Sequence, residues 1–222
     1  MVDNSDSLFE ECVSPQYVEA YRDGDIRSLA HDDPYNFAFL NDLFTQQFYE
    51  SLLEDAVPTF ETSYPSRTGY EIPIYYEPFA NERFVRLVYS SVFRQFLAAL
   101  MGATSVARAK DKYPQLRAVR GADGAGMGIH DDGSAPYNGA IFFNLNQGWN
   151  DGDGGELVIW EKQSATEFKK RFQFPPRGNS MSAMWLSTES FHSVNKPNVE
   201  WDRVNVLMEV DFVSNGAAEN AT

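Results

Sequence analysis

The chain has three histidines, and two of them head the same tripeptide, His-Asp-Asp, at 31–33 and 130–132. Histidine and aspartate can ligate a divalent metal, but only where further ligands converge from elsewhere in the chain. His130 and Asp132 are two residues apart, a spacing that on an extended segment sends both side chains to one face. The third histidine, His192, follows in "ESFHSV", just after another strand-like run. Two neutral imidazoles and one carboxylate on one face suit iron(II) and leave coordination positions open, whereas thiolates would select zinc or clusters. His31 has no second histidine in its half of the chain, and Pro34 after it suits a turn. It therefore reads as a surface or turn residue.

Arg203 is the next group with chemistry to offer, eleven residues past His192 and at the start of "RVNVLMEVDFV". A guanidinium takes a carboxylate bidentately, which lysine does not reproduce; the competing reading is a strand-edge ion pair. The elements that must place these groups differ between the two halves. In the first, Phe44, Phe48 and Leu52 recur at four-residue spacing in a segment that Asn41 or Asp42 can cap and that runs to about Glu54. "NERFVRLVYSSVFRQFLAALMG" (81–102) carries a broader apolar stripe and ends at Gly102, predicting one long helix. The Pro- and Tyr-rich stretch between them reads as loop, with room for a short strand.

From about Gln115 short strand-like runs alternate with glycine-rich turns, the pattern of an antiparallel sandwich or barrel. The last run alternates best: Val204, Val206, Met208, Val210 and Phe212 share one face, Arg203, Asn205, Leu207, Glu209 and Asp211 the other. By the same rule Asn144 lies with Ala140 and Phe142, while Ile141, Phe143 and Leu145 face packing. The reading is of a single domain over 1–222: helical support and substrate loops over 1–114, a β core over 115–213 and a flexible tail over 214–222.

A net charge of −14 disfavours nucleic acid, whose binding rests on neutralising phosphates with Lys and Arg. It is compatible with a cationic or zwitterionic substrate, and equally with a role in solubility. No apolar run reaches the roughly 18–20 residues of a membrane span. The acidic start "MVDNSDSLFEECV" lacks the basic-then-apolar order of a signal peptide, and the single cysteine, Cys12, excludes an intrachain disulfide and a thiolate zinc cluster. These features predict a cytoplasmic protein without membrane or nucleic-acid partners.

In its order of His-x-Asp, long gap, His and Arg, segment 115–213 resembles the iron(II)/2-oxoglutarate-dependent oxygenases, within them the prolyl-hydroxylase-like branch. "GADGAGMGIHDD", "IFFNLN", "DGDGGELVIW" and "FHSVNKPNVEWDRVNV" carry the resemblance. It implies a double-stranded β-helix (a jelly roll, cupin-like) preceded by helices, an α+β chain that is mainly β. It implies iron(II) on His130, Asp132 and His192, with 2-oxoglutarate and O2 as co-substrates and ascorbate as a supporting reductant. Arg203 matches the basic residue that holds the far carboxylate of 2-oxoglutarate, and Asn205 a small polar residue that assists it. Asn144 stands where relatives commonly carry a tyrosine that reaches the co-substrate, a departure that shortens the donor. Arg120 occupies another such tyrosine position and is open to a second role with the co-substrate, with a substrate anion, or in a surface ion pair.

The implied reaction is oxidative decarboxylation of 2-oxoglutarate to succinate and CO2, coupled to hydroxylation of an unactivated C–H bond. The presence of Asp132, where halogenating relatives have a small residue, favours hydroxylation; desaturation and ring formation stay open. Candidate substrate contacts are Met127 in the glycine loop, Asp131, and Trp160 and Trp185, with loops 59–80 and 145–155 as lid and specificity elements. Asp131, Trp160 and Trp185 also have plainer readings, a solvated acid and core aromatics. Asp151 and Asp153 lack the glutamate of a calcium loop. A free amino acid or small metabolite is preferred over a prolyl or similar residue of a protein, because no extra peptide-binding domain is visible. A non-catalytic jelly-roll binding module or sensor and a zinc hydrolase are the rival classes; Arg203 and the lack of an evident general base speak against the hydrolase.

Overall fold

Two periodicities in the sequence, near four residues in the first half and two in the second, build a layer of helices against a pair of sheets. The computed structural model describes residues 5–58, 63–64, 74–108, 113–119, 126–198 and 202–214. In chain order the elements are α1 (Ser5–Cys12), α2 (Pro15–Arg22), a 3-10 turn (Ile26–Leu29), β1 (Ala30–His31), β2 (Phe37–Leu40), α3 (Gln46–Asp55), β3 (Ser63–Tyr64), β4 (Ile74–Pro78), α4 (Glu82–Val88) and α5 (Ser91–Met101). There follow β5 (Ser105–Arg108), β6 (Gln115–Val119), β7 (Met127–His130), β8 (Gly139–Asn144), β9 (Leu157–Lys162), β10 (Phe168–Phe174), β11 (Ser180–Trp185), β12 (His192–Val194) and β13 (Arg203–Val213).

Among the described residues the larger sheet runs β1-β2-β11-β8-β13-β6-β4-β3, with β5 also paired to β13, and the smaller runs β10-β9-β12-β7. This is the double-stranded β-helix expected from the sequence. The first half does more than support it. Its strands β1 and β2 extend one edge of the large sheet, and β4 pairs with β6 towards the other.

Strand β13 shows why the layers stack as they do. Its even-numbered residues Val206, Met208, Val210 and Phe212 join one core with Phe143 and Met181 of the sheet and Phe48, Phe84, Phe93 and Phe96 of the helices. Full burial of each such side chain contributes about 1.5–3 kcal/mol, which fixes the helices to this face. The odd-numbered face looks the other way: Leu207 packs with Phe37, Ala140, Ile159 and Met184 between the two sheets.

The helices depart from the sequence expectation in two places. α3 begins at Gln46 after Thr45, later than Asn41 or Asp42 would start it, because Asp42 has φ 50° and Phe44 bridges Val13. The 81–102 segment is two helices bent by 54°, since Ser90 turns the chain and accepts a hydrogen bond from Phe93 N (3.1 Å) to start α5. Asn81 caps α4 in the same way, and Gly102, at φ 66°, ends α5 as expected. Among the described residues no single helix is long and apolar enough to cross a membrane.

Candidate active site

The site begins as a strand pairing. β12 lies between β9 and β7, and its register sets His192 directly opposite His130. The two rings meet at 4.2 Å between centroids. Each ring is turned by a backbone carbonyl: Nδ1 of His130 lies 2.8 Å from Gly128 O, and Nδ1 of His192 lies 2.8 Å from Ser190 O. With Nδ1 donating, the lone pair is on Nε2, and both Nε2 atoms face Asp132. Asp132 Oδ2 is 3.6 Å from His130 Nε2 and 3.5 Å from His192 Nε2. One ligand atom from each of the three residues lies within 4.8 Å of the others.

The extended segment implied by the two-residue spacing of His130 and Asp132 is not how the chain brings them together. β7 ends at His130, and Asp132 sits in the left-handed region at φ 54°, so a turn rather than an extended strand brings the carboxylate round. Asp131 Oδ1 accepts from Gly133 N (2.8 Å) within that turn, and Ser190 Oγ donates to Asp131 O (2.7 Å), tying the turn to the segment that carries His192. Gly133 permits the approach: a Cβ there would lie 2.6 Å from Thr188 N and 2.8 Å from Ser187 C.

Burial opposes the Asp132 charge, but the hydrogen bonds and charges of the two imidazoles outweigh it and hold the carboxyl below the usual carboxylate range. For His130 burial likewise opposes the charged form; the hydrogen bond and charge of Asp132 and the Gly128 carbonyl together exceed it, and the net shift is upward. Both shifts describe a pocket that wants a positive charge between the nitrogens and the carboxylate. A divalent ion satisfies that demand, and a donor set of two imidazoles and one carboxylate fits iron(II).

The opposite demand is met next door. Strand registers line up Tyr76, Arg117, Asn205, Asn144 and Ser180 across β4, β6, β13, β8 and β11, with Arg203 beside this row. Arg203 Nε, Arg117 Nε, Asn205 Oδ1 and Asn144 Oδ1 are buried without a hydrogen-bond partner. Asn144 Nδ2 donates to Ser180 Oγ (2.9 Å), which fixes its amide. Burial, followed by the charge of Arg117, pushes Arg203 down to about 9. A buried guanidinium in this position calls for an anion.

Metal ligands and arginines open on one cavity of about 580 Å³, walled also by Phe142, Leu157, Met184, Val194 and Leu207. Met127 lines it, while Arg120 lies outside the described residues. Three expected contacts are elsewhere. Asp131 is used in its turn, as above. Trp160 points to the outer side of the small sheet, where Nε1 donates to Ser193 Oγ (2.8 Å), and Trp185 lies tilted against Phe212 on the helical side of the large sheet. Loop 145–155 supplies no wall; it closes on itself, with Trp149 Nε1 donating to Gly154 O (2.8 Å) and Asn150 N to Asp153 Oδ2 (2.7 Å). The described part of 59–80 does contribute, through Tyr76, Glu77 and Pro78. Sequence reasoning missed Arg117, Tyr137 and Glu209. Glu209 was visible on the Arg203 face; Arg117 needed the pairing of β6 with β13 to show which way it points.

Residues 115–208 match the family model described as the 2OG-Fe(II) oxygenase superfamily. No curated protein matches the chain in sequence. Among solved structures, a prolyl-4-hydroxylase from Pseudomonas putida is similar with a TM-score of 0.54 at 16% identity, over 79% of this chain and 92% of that one. A prolyl hydroxylase from Trichoplax adhaerens, solved with a peptide fragment of the hypoxia inducible factor oxygen degradation domain, gives 0.62 at 13% identity, over 89% and 92%. The non-heme alpha ketoglutarate dependent epimerase SnoN from nogalamycin biosynthesis gives 0.57 at 10%, over 90% and 88%. At these identities the likeness to the structures speaks for the fold.

Proposed function

We propose that residues 115–208, which match the 2OG-Fe(II) oxygenase model, form such a domain, that the chain holds iron(II) on His130, Asp132 and His192, and that with 2-oxoglutarate and O2 it hydroxylates an unactivated C–H bond of an amino acid or small metabolite. The observation that carries this is the meeting, in one cavity, of three convergent metal-ligand atoms and a half-buried Arg203 whose buried Nε has no partner. Bound iron would supply O2 activation coupled to decarboxylation of 2-oxoglutarate.

The chain's own residues do the rest. Arg203 takes the far carboxylate of 2-oxoglutarate bidentately and so sets its orientation. Asn205 and Asn144 line the same row and adjust that end of the pocket; their unmatched amide oxygens suit a water or hydroxyl donor more than the carboxylate itself. The Nδ1–carbonyl contacts keep each imidazole in the tautomer that ligates through Nε2. Phe142, Leu157, Met184 and Leu207 exclude water from the space in which the substrate C–H bond must lie. A peptide substrate is the second reading, favoured by the peptide seen with the Trichoplax enzyme. A cytoplasmic location is part of the same proposal, supported by a single, fully buried free thiol.

The test is succinate release by anaerobically purified protein given iron(II), 2-oxoglutarate and ascorbate, with and without O2, across free amino acids and proline-containing peptides. Oxygen-dependent succinate that one panel member stimulates and His192→Ala abolishes is the expected result. A wild-type protein that neither releases succinate nor binds 2-oxoglutarate in a calorimetric titration would overturn the proposal.

A further inference from the structure

Among the described residues two guanidinium groups face the cavity, and the co-substrate accounts for one. Arg117 is 7% exposed, on β6, opposite Asn205 of β13 and Tyr76 of β4. The rings of Tyr76 and Phe142 each lie 5.5 Å from its guanidinium carbon, which holds the plane of the group in place. Its Nη2 reaches across the cavity to Met127 Sδ on β7 (4.0 Å), and its charge is felt by His130 on the same strand. Its Nε has no hydrogen-bond partner, and among the described residues it has no carboxylate partner. Aromatic faces and a thioether steady a cation but leave its donors unanswered. Such a group, clamped and buried beside the metal ligands, is a built anion site.

The charges of the cavity say which molecule brings the anion. Asp132 belongs with the metal, and the far carboxylate of 2-oxoglutarate with Arg203. What remains on the walls, among the described residues, is one cation, Arg117, and the carboxylates of Glu209 and Glu77. Glu209 stands beside the Tyr137 hydroxyl, and a carboxylate offers about four acceptor sites. A residue inside a peptide offers neutral amides to these groups. A free amino acid offers a carboxylate and an ammonium together.

Building on the oxygenase reading above, we propose that the substrate is a free amino acid whose α-carboxylate is held by Arg117, with its ammonium towards Glu209. The test is calorimetric titration of the protein loaded anaerobically with iron(II) and 2-oxoglutarate, using the common free amino acids, their α-amides and capped prolyl peptides. At least one amino acid should bind saturably, its amide about 100-fold more weakly, and Arg117→Gln should weaken the acid by about 100-fold while moving 2-oxoglutarate by less than about threefold. Arg117→Lys, which keeps the charge, should recover part of the loss; a variant that lost only the packing of Tyr76 and Phe142 would not discriminate acid from amide. Should Arg117→Gln fail to fold, the acid–amide comparison on the wild type decides alone. Equal binding of acid and amide, no binding of any amino acid to the loaded protein, or a loss of 2-oxoglutarate affinity in Arg117→Gln as large as in Arg203→Gln would each overturn the assignment. Failure of the oxygenase reading looks different: the wild type would not take up 2-oxoglutarate at all.

Discussion

The same tripeptide meets opposite fates in the two halves of the chain. At 31–33 every side chain is claimed by a neighbour. His31, rather than lying in a turn, sits half-buried in β1 with Phe37 stacked on it and Phe172 tilted against it, each at 4.7 Å between centroids. Asp32 pairs with Arg27, and Asp33 Oδ2 with Arg171 Nη2 at 2.5 Å. At 130–132 the middle aspartate is spent on its own turn, while the outer two residues turn their ligand atoms towards each other and towards His192. The residue that follows completes the contrast. Pro34 follows the first copy, whereas Gly133 lets the second press against the backbone of 187–188. Ligand identity is shared between the copies; convergence is not.

The largest break in that contrast should come from the metal ligands. Asp132→Ala or His192→Ala is expected to lower iron(II) affinity on the order of 100-fold or more, read by anaerobic metal titration. Retention of tight binding in either would remove the second copy's claim. Arg203→Ala should come next, costing 2-oxoglutarate about 2–5 kcal/mol of binding in calorimetry and leaving metal uptake in place. Gly133→Ala should cost about 1–3 kcal/mol of stability through backbone overlap, with iron affinity falling alongside; a melting temperature equal to that of the wild type would show that the turn has slack.

Acidity should sharpen the comparison further. His130 has a raised pKa, so protons compete with iron for its ring, and iron affinity should fall as pH drops through that raised value. In metal-free protein the sign reverses. Protonated His130 is stabilised by Asp132, a contribution present below the ordinary histidine pKa and lost as pH rises through the raised one. Asp132→Asn should flatten that dependence in denaturation curves taken across neutral pH. The smallest effect belongs to the first copy: His31→Ala should lose about 1 kcal/mol of stability from its ring contacts and bind iron as the wild type does.

Much of this was legible in the residues. The alternation of 203–213 assigned both faces of β13, and the same rule turned Asn144 inward and Phe143 outward. The signal was strong there because the two faces differ in polarity. It failed in "MSAMWLS", where the cavity side is Ser182 and Met184 and the helical side Met181, Ala183 and Trp185, so that neither looks polar enough to choose. The side taken by Trp185 stays undecided in the sequence for that reason, and that of Trp160 because nothing local shows which side of a half-buried strand faces a second sheet. The break between α4 and α5 was hidden by an apolar stripe that continues across Ser90. Arg117 gives no local sign of which way it faces, and only its pairing with Asn205 shows that it points inward.

The pairing of β12 with β7 also has a consequence in time. His192 belongs to a strand of three residues whose partner left the ribosome 62 positions earlier. Closing so long a loop costs entropy before the contact returns anything, and such contacts tend to form late. A nascent chain that has not yet emerged past residue 192 has one imidazole and one carboxylate to offer, too few for a stable iron site. Capacity for iron is thus acquired only after residue 192 has emerged, in a single step, and metal uptake in a translating chain would mark the moment at which the smaller sheet closes.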